Sequence, residues 1–158
     1  MSVSLTLDAA EVDEALVRLG SIIDFEPGPM MEAIAALGES QTRRRITDEK
    51  TAPDGTPWKE NWKGSSILHE TGRNLLDSVA SGASADQAEW GASWEFAHVH
   101  QDGMEILPVN GDRLAFFLGT RFVRPEKVTI PARPFVGISA ENEAEILDLV
   151  SDFWGLAR

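Results

Sequence analysis

The spacing of apolar and polar positions changes along the chain, and the changes divide it into helical ends and an extended middle. Val12, Ala15, Leu16 and Leu19 recur every three or four residues and make one stripe of a helix. Asp8 and Glu11 have the spacing of a capping box, and Leu7 with Val12 that of a hydrophobic staple, so the helix is expected to start there. The Glu26-Pro27-Gly28-Pro29 turn must follow and interrupt it. A second helix is predicted from about Met30 to Ile46, with Met30, Ile34 and Leu37 inward. Arg43, Arg44 and Arg45 lie near its carboxyl end, where cations oppose the helix dipole. Three consecutive residues point around a helix, so they are read as structural and not as one phosphate site.

From Thr47 to Ser66 the run TDEKTAPDGTPWKENWKGSS keeps no apolar period and reads as a long loop, a candidate contact surface. Thr71 and Gly72 then introduce a short helix carrying Leu75, Leu76 and Val79, which the GASAD turn ends. Gln87 to Ala92 reads as a strand, and Glu95 to Gln101 as a short helix or turn that Gly103 terminates. Leu114 to Leu118 and Lys127 to Ile130 are the next strands, with a hairpin through the charged turn of Arg121, Arg124 and Pro125 as one way to pair them. Pro131 and Pro134 suit a strand edge. Ser139 caps a last helix with Glu141 and Glu143 in its first turn, and Ile146, Leu149, Val150, Phe153 and Trp154 recur at helical spacing for core packing. The class is α+β, a small mainly antiparallel or mixed sheet flanked by helices, with a long loop after the second helix.

Composition narrows the class without changing it. At 158 residues, 42% hydrophobic and 25% charged, the chain suits one folded domain over residues 1–158 rather than a disordered segment. No apolar run approaches bilayer length, and the MSVSLTLDAAEVDE start turns acidic where a signal peptide is basic and then apolar, so the expected place of synthesis is a cytoplasm, with no membrane partner. The absence of cysteine excludes disulfides, thiolate nucleophiles and thiolate zinc sites. The formal charge of −12 is concentrated at the ends: residues 1–29 hold six acids and one base, and 139–158 five acids and one base. Such a balance disfavours tight wrapping of nucleic acid, which relies on Lys and Arg at phosphates. It gives either a well-solvated surface or one that DNA passes without sticking.

Two constellations suggest chemistry. His98, His100 and Asp102 in HVHQDG resemble the start of the HxHxDH motif of metallo-β-lactamases, the basis of an alternative reading as a metal-dependent hydrolase. The last histidine of that motif is missing, and none of the chain's three histidines follows His100, so the second metal set cannot be built. Residues two apart on a helix point about 200° apart, so only an extended segment aims both imidazoles at one ion. Trp58 and Trp62 alternate with Lys59 and Lys63, an interleaving that could stack on single-stranded bases and so support a nucleic-acid-binding module. Tryptophans more often pin such a loop to the core or to a neighbouring subunit, since Trp is enriched in contact hot spots, and the pair is a candidate for binding a partner subunit.

The ordered series PDGTPW (53–58), ILHETG (67–72), LLDSV (75–79), WGAS (90–93), FAHVHQDG (96–103) and IPARPFVGIS (130–139) resembles the phage virion morphogenesis and tail completion family. The sequence departs from the family pattern in having Phe96 where tyrosine is common, and in an interposed stretch from Ile106 to Glu126. The resemblance implies a structural protein, not an enzyme, that finishes the tail or its junction with the head as a ring of identical subunits such as a hexamer. Its partners would then be other copies of itself, the tail tube, terminator or connector proteins, and DNA passing through the channel. Its place would be the tail or neck of the virion. No catalytic residue, metal or cofactor comes with it. Among the matching residues, Arg133 is expected in an ion pair or at the next subunit and Phe135 as an anchor, so Trp58, Trp62, Arg133 and Phe135 form the candidate partner-binding set.

Overall fold

The computed structural model describes residues 9–61, 64, 66–68 and 73–155. The expected Asp8 cap and Leu7 staple, and with them Trp62, Lys63, His69, Thr71 and Gly72, fall outside those residues. Helix α1 spans Ala9–Ile23, and α2 spans Gly28–Arg44 with Pro29 in its first turn, where a missing N–H costs nothing. One π turn, Arg45–Glu49, continues α2 until Lys50 takes a left-handed conformation and closes on the Arg45 carbonyl at 3.1 Å. The helical path therefore runs three residues beyond the expected end at Ile46, taking Thr47, Asp48 and Glu49 from the long loop. The face of α2 that is buried is more polar than an apolar stripe suggests: Met30, Ala35, Gly38, Gln41 and Thr42 are inside, with Ile34 and Leu37 half-buried.

Helix α3 is only Arg73–Asp77, and Val79 opens a strand instead of ending that helix. The Ser78 N–H and hydroxyl close α3 on the carbonyls of Asn74 and Leu75. Strand β1 (Val79–Ala83) then pairs antiparallel with β2 (Ala88–Ala92), from Val79 opposite Ala92 to Ala83 opposite Ala88. The GASAD segment is thus half strand and half turn. Its small residues carry no readable period, and the pairing with β2 decides its state. Helix α2 lies across this hairpin and against the last helix. Gly38 makes the approach possible, because a Cβ there would collide with the indole of Trp90.

Helix α4 (Ala97–Asp102) ends at Gly103, as its sequence predicts. Strand β3 (Met104–Ile106) follows, and its partner is β6 (Val128–Ile130). Strand β4 (Phe116–Leu118) pairs with β5 (Arg121–Val123) around a two-residue Gly119-Thr120 turn. The hairpin between 114–118 and 127–130 is therefore not formed: the supposed charged turn contains a strand of its own, and β6 is already paired. The Leu114 N–H donates to the Pro125 carbonyl at 2.8 Å and joins the two ribbons into one arm. All described pairing is antiparallel, in three two-stranded ribbons rather than one sheet.

Helix α5 (Ala140–Phe153) begins at a capping box in which the Ser139 side chain accepts from the Asn142 N–H and the Asn142 side chain accepts from the Ser139 N–H. Such a cap contributes about 1 kcal/mol. Ile146, Leu149 and Val150 of its stripe are half-buried, Phe153 is exposed, and Trp154 stacks on Phe25 with ring centroids 4.6 Å apart. The α+β core gathers Ile46, Trp58, Leu75, Val79, Ala97 and Phe135 where α2, the loop after it, α3 and the 131–137 segment meet. No described helix is long and apolar enough to cross a membrane.

Candidate functional site

The segments that carry the motif series converge on one stretch of backbone, Pro131 to Gly137. Three side chains from three other parts of the chain hold its peptide groups in a clasp. Arg45, at the end of α2, donates from one guanidinium nitrogen to the carbonyls of Phe135 at 3.1 Å and Gly137 at 2.9 Å, and from the other to the Asn142 side chain. Gln101 of α4 accepts from the N–H groups of Phe135 and Val136 at 3.0 and 3.1 Å, and its amide donates back to the Val136 carbonyl at 3.1 Å. The Trp58 indole N–H donates to the Pro134 carbonyl at 3.1 Å. Lys50 works on the neighbouring strand of loop, reaching the carbonyls of Ile46 and Ile67. Two prolines remove N–H donors from the segment, so it cannot satisfy itself in a ladder and its carbonyls depend on these grips.

The segment also grips outward. Arg133 donates from Nε and from one terminal nitrogen to the Lys59 carbonyl at 2.9 and 2.8 Å, and reaches the Glu60 carbonyl at 3.3 Å, while its own N–H donates to the His100 carbonyl at 2.7 Å. This replaces the expected ion pair: carbonyls, not a carboxylate, hold the guanidinium, because the loop after Trp58 turns its backbone toward it. Burial lowers the pKa of both Arg45 and Arg133 from the usual value. Arginine is nonetheless still protonated at neutral pH, so each bond it makes is charge-assisted.

Trp58, Arg133 and Phe135, the candidate partner-binding residues, are 5%, 6% and 1% exposed and make the contacts described within the chain itself. Trp58 is enclosed on its faces and leaves none for a base, although Lys59 beside it is exposed. The three arginines of α2 diverge as consecutive helical residues must. Arg43 donates to the Leu76 and Val79 carbonyls and to Glu39; Arg44 bridges Glu49 and Glu145; Arg45 goes to the clasp. Hydrogen bonds from Gln41 and then Arg44 outweigh desolvation and hold the Glu145 carboxyl below the usual range. Arg45 and Gln101, the two principal holders, escaped the sequence reading. Gln101 had a signal in its place before Asp102-Gly103; Arg45 had none that separates it from its two neighbours.

His98 and His100 do not converge. Both lie on α4, His98 exposed and His100 turned inward, its ring stacked on Trp94 with centroids 5.7 Å apart. Among the described residues no three His, Asp or Glu side chains come together as a metal site would require. The buried Nδ1 of His100 has no hydrogen-bond partner there either. Burial and the nearby Arg133 charge push the His100 pKa below 6.5. The unfolded chain takes up this proton near pH 6.5 and the folded chain resists it, so the contribution to stability is whole above about pH 6.5 and declines as the pH falls toward the folded pKa. Urea titrations between about pH 7.5 and 5.5 are expected to show a steeper loss of stability for the native chain than for His100→Gln. Equal slopes would place the sensitivity elsewhere.

Comparison with known proteins places the whole described fold in one family. The sequence pattern of the phage virion morphogenesis family matches residues 7–153. Among curated proteins, the chain is 28% identical over 151 residues to Mu-like prophage FluMu G protein 2 of Haemophilus influenzae, covering 94% of this chain and 93% of that protein. It is 25% identical over 160 residues to the G protein of Escherichia phage Mu, whose name ties it to capsid assembly, covering 95% and 92% respectively. No solved structure matches the chain. The match takes in every segment of the clasp, from α2 through Trp58 and Gln101 to Asn142, and the chain belongs to the phage virion morphogenesis family.

Proposed function

We propose that this chain is a structural virion protein that completes the head-proximal end of a phage tail, or the head–tail junction, as a homo-oligomeric ring around the DNA channel. The observation that carries the reading is the uneven placement of exposed apolar side chains. They concentrate on two elements that stand off the clasped core, α1 with Val12, Leu16, Leu19 and Ile22, and the arm from Met104 to Ile130 with Leu107, Val109, Phe117 and Phe122. Patches of this kind mark surfaces that a partner covers. The buried side chains of Arg45, Arg133 and Asn142 hold backbone groups.

Charge fits the same role. The exposed residues of α5 include Glu141, Glu143, Asp148 and Asp152, and an acidic lumen lets a polyanion slide where a basic one would retain it. The name of the phage Mu relative favours a second reading, a part in building the capsid itself. One experiment separates them. In an infection lacking this protein, filled heads beside unattached tails are the expected result, whereas failure to form closed heads supports the capsid reading. Light scattering and electron microscopy of the purified protein test for the ring.

A further inference from the structure

We propose that the arm and α1 are the two halves of one head-to-tail contact, the Phe117–Phe122 tip of one subunit seating on the apolar stripe of α1 of the next. This rests on the ring reading above and adds the surface by which the ring is made. Phe117 and Phe122 are cross-strand partners with ring centroids 5.2 Å apart, and they remain 69% and 53% exposed. A paired aromatic knob on a two-stranded ribbon has no core to enter in its own subunit: β4 and β5 pack chiefly on each other. From Ile130 out to Arg121 the arm can extend at most about 30 Å, enough to cross to a neighbour.

Charge selects the occupant. In a chain of net charge −12, residues 113–125 hold three arginines and no acid. Arg113 is paired with Glu126, but the guanidinium groups of Arg121 and Arg124 have no hydrogen-bond or ion-pair partner among the described residues. Helix α1 is the opposite. Val12, Leu16 and Leu19 fall on one face and are 41%, 60% and 56% exposed, and the one base of the helix, Arg18, is paired with Glu14 at 2.9 Å. Residues 1–29 as a whole carry six acids against that single base.

A basic aromatic tip and an acidic aliphatic stripe complement each other and not themselves. Two α1 helices face to face would oppose acid to acid, and two tips would oppose arginine to arginine. The complementarity therefore selects a heterologous contact, the kind that closes into rings, over a two-fold dimer.

The absence of cysteine from the chain permits a direct test on the full-length protein. A Leu16→Cys, Phe122→Cys double variant, oxidised after assembly, is expected to give a ladder of covalent oligomers ending at the ring size, while each single variant gives none. Phe117→Ala with Phe122→Ala should raise the subunit concentration needed for ring formation at least about tenfold. Arg121→Glu with Arg124→Glu, a change confined to exposed charges, serves as a second variant and should do likewise. Rings in the microscope without a ladder, or rings unaffected by both sets of changes, overturn this contact and leave the ring reading standing. A covalent dimer from Leu16→Cys alone overturns it in favour of paired α1 helices. A native chain that forms no ring, alone or on particles, sinks the ring reading and this contact with it.

Discussion

Arg45→Ala is expected to destabilise the folded chain by about 3–5 kcal/mol, the largest effect of any single truncation in the clasp. The side chain is 1% exposed, and its removal strands the Phe135 and Gly137 carbonyls and leaves the Asn142 side-chain oxygen with only the Ser139 N–H. Each buried acceptor left without a donor costs about 1–3 kcal/mol. Arg45→Met fills most of the volume and restores none of the donors, so it should fall nearly as far. Arg45→Lys should recover little, since a single ammonium cannot serve acceptors spread around a planar fork. Urea unfolding of the three variants decides the matter. A loss below about 1 kcal/mol for the alanine variant would mean that water enters and replaces the guanidinium.

Gly103→Ala should cost about 2–4 kcal/mol and lower the thermal midpoint by roughly 5–15 °C. Two independent faults add. The backbone there has φ 77° and ψ 163°, a region that only glycine occupies readily. A Cβ would also stand 2.7 Å from the Ala132 nitrogen and 2.9 Å from the Ile130 carbonyl oxygen, both backbone atoms with no rotamer to escape into. Gly111→Ala is the control for the first fault alone, with φ 84° and nothing within 4 Å of the added carbon. Equal losses in the two variants would show that the close packing between α4 and the clasp segment relaxes without cost.

The sequence made the ends of the fold legible because their signals are local. Ser139 before Glu141 and Glu143 marks the start of α5, and Gly103 marks the end of α4, since caps act within a few residues. The middle was illegible where pairing at a distance decides. Strand β3 has three exposed residues and no period, and only β6, more than twenty residues on, makes it a strand. The order of the motifs pointed to the family, and the family match covers the chain nearly end to end. The roles of the motif residues were harder to see. Trp58, Arg133 and Phe135 have the composition of an interface, and sequence alone cannot tell a residue that anchors a neighbour from one that anchors its own backbone. The apolar stripe of α1 stands in solvent at Val12, Leu16 and Leu19, so a helical period alone does not say what a stripe packs against.

The clasp joins residues that the chain makes at very different times. Arg45 waits for acceptors 90 to 97 positions later, and Trp58 and Arg133 are tied to partners 76 and 74 positions away. Loops of this length close slowly, and contacts across them dominate the folding barrier. On a ribosome, the carbonyls and the Asn142 side chain that Arg45 needs are still unmade or inside the exit tunnel while α2 is already outside. The guanidinium therefore stays hydrated until α5 has emerged, and the fold locks in one late step that requires that helix. A chain that lacks α5 leaves the Arg45 guanidinium without its Asn142 acceptor, and the core around it stays unfinished.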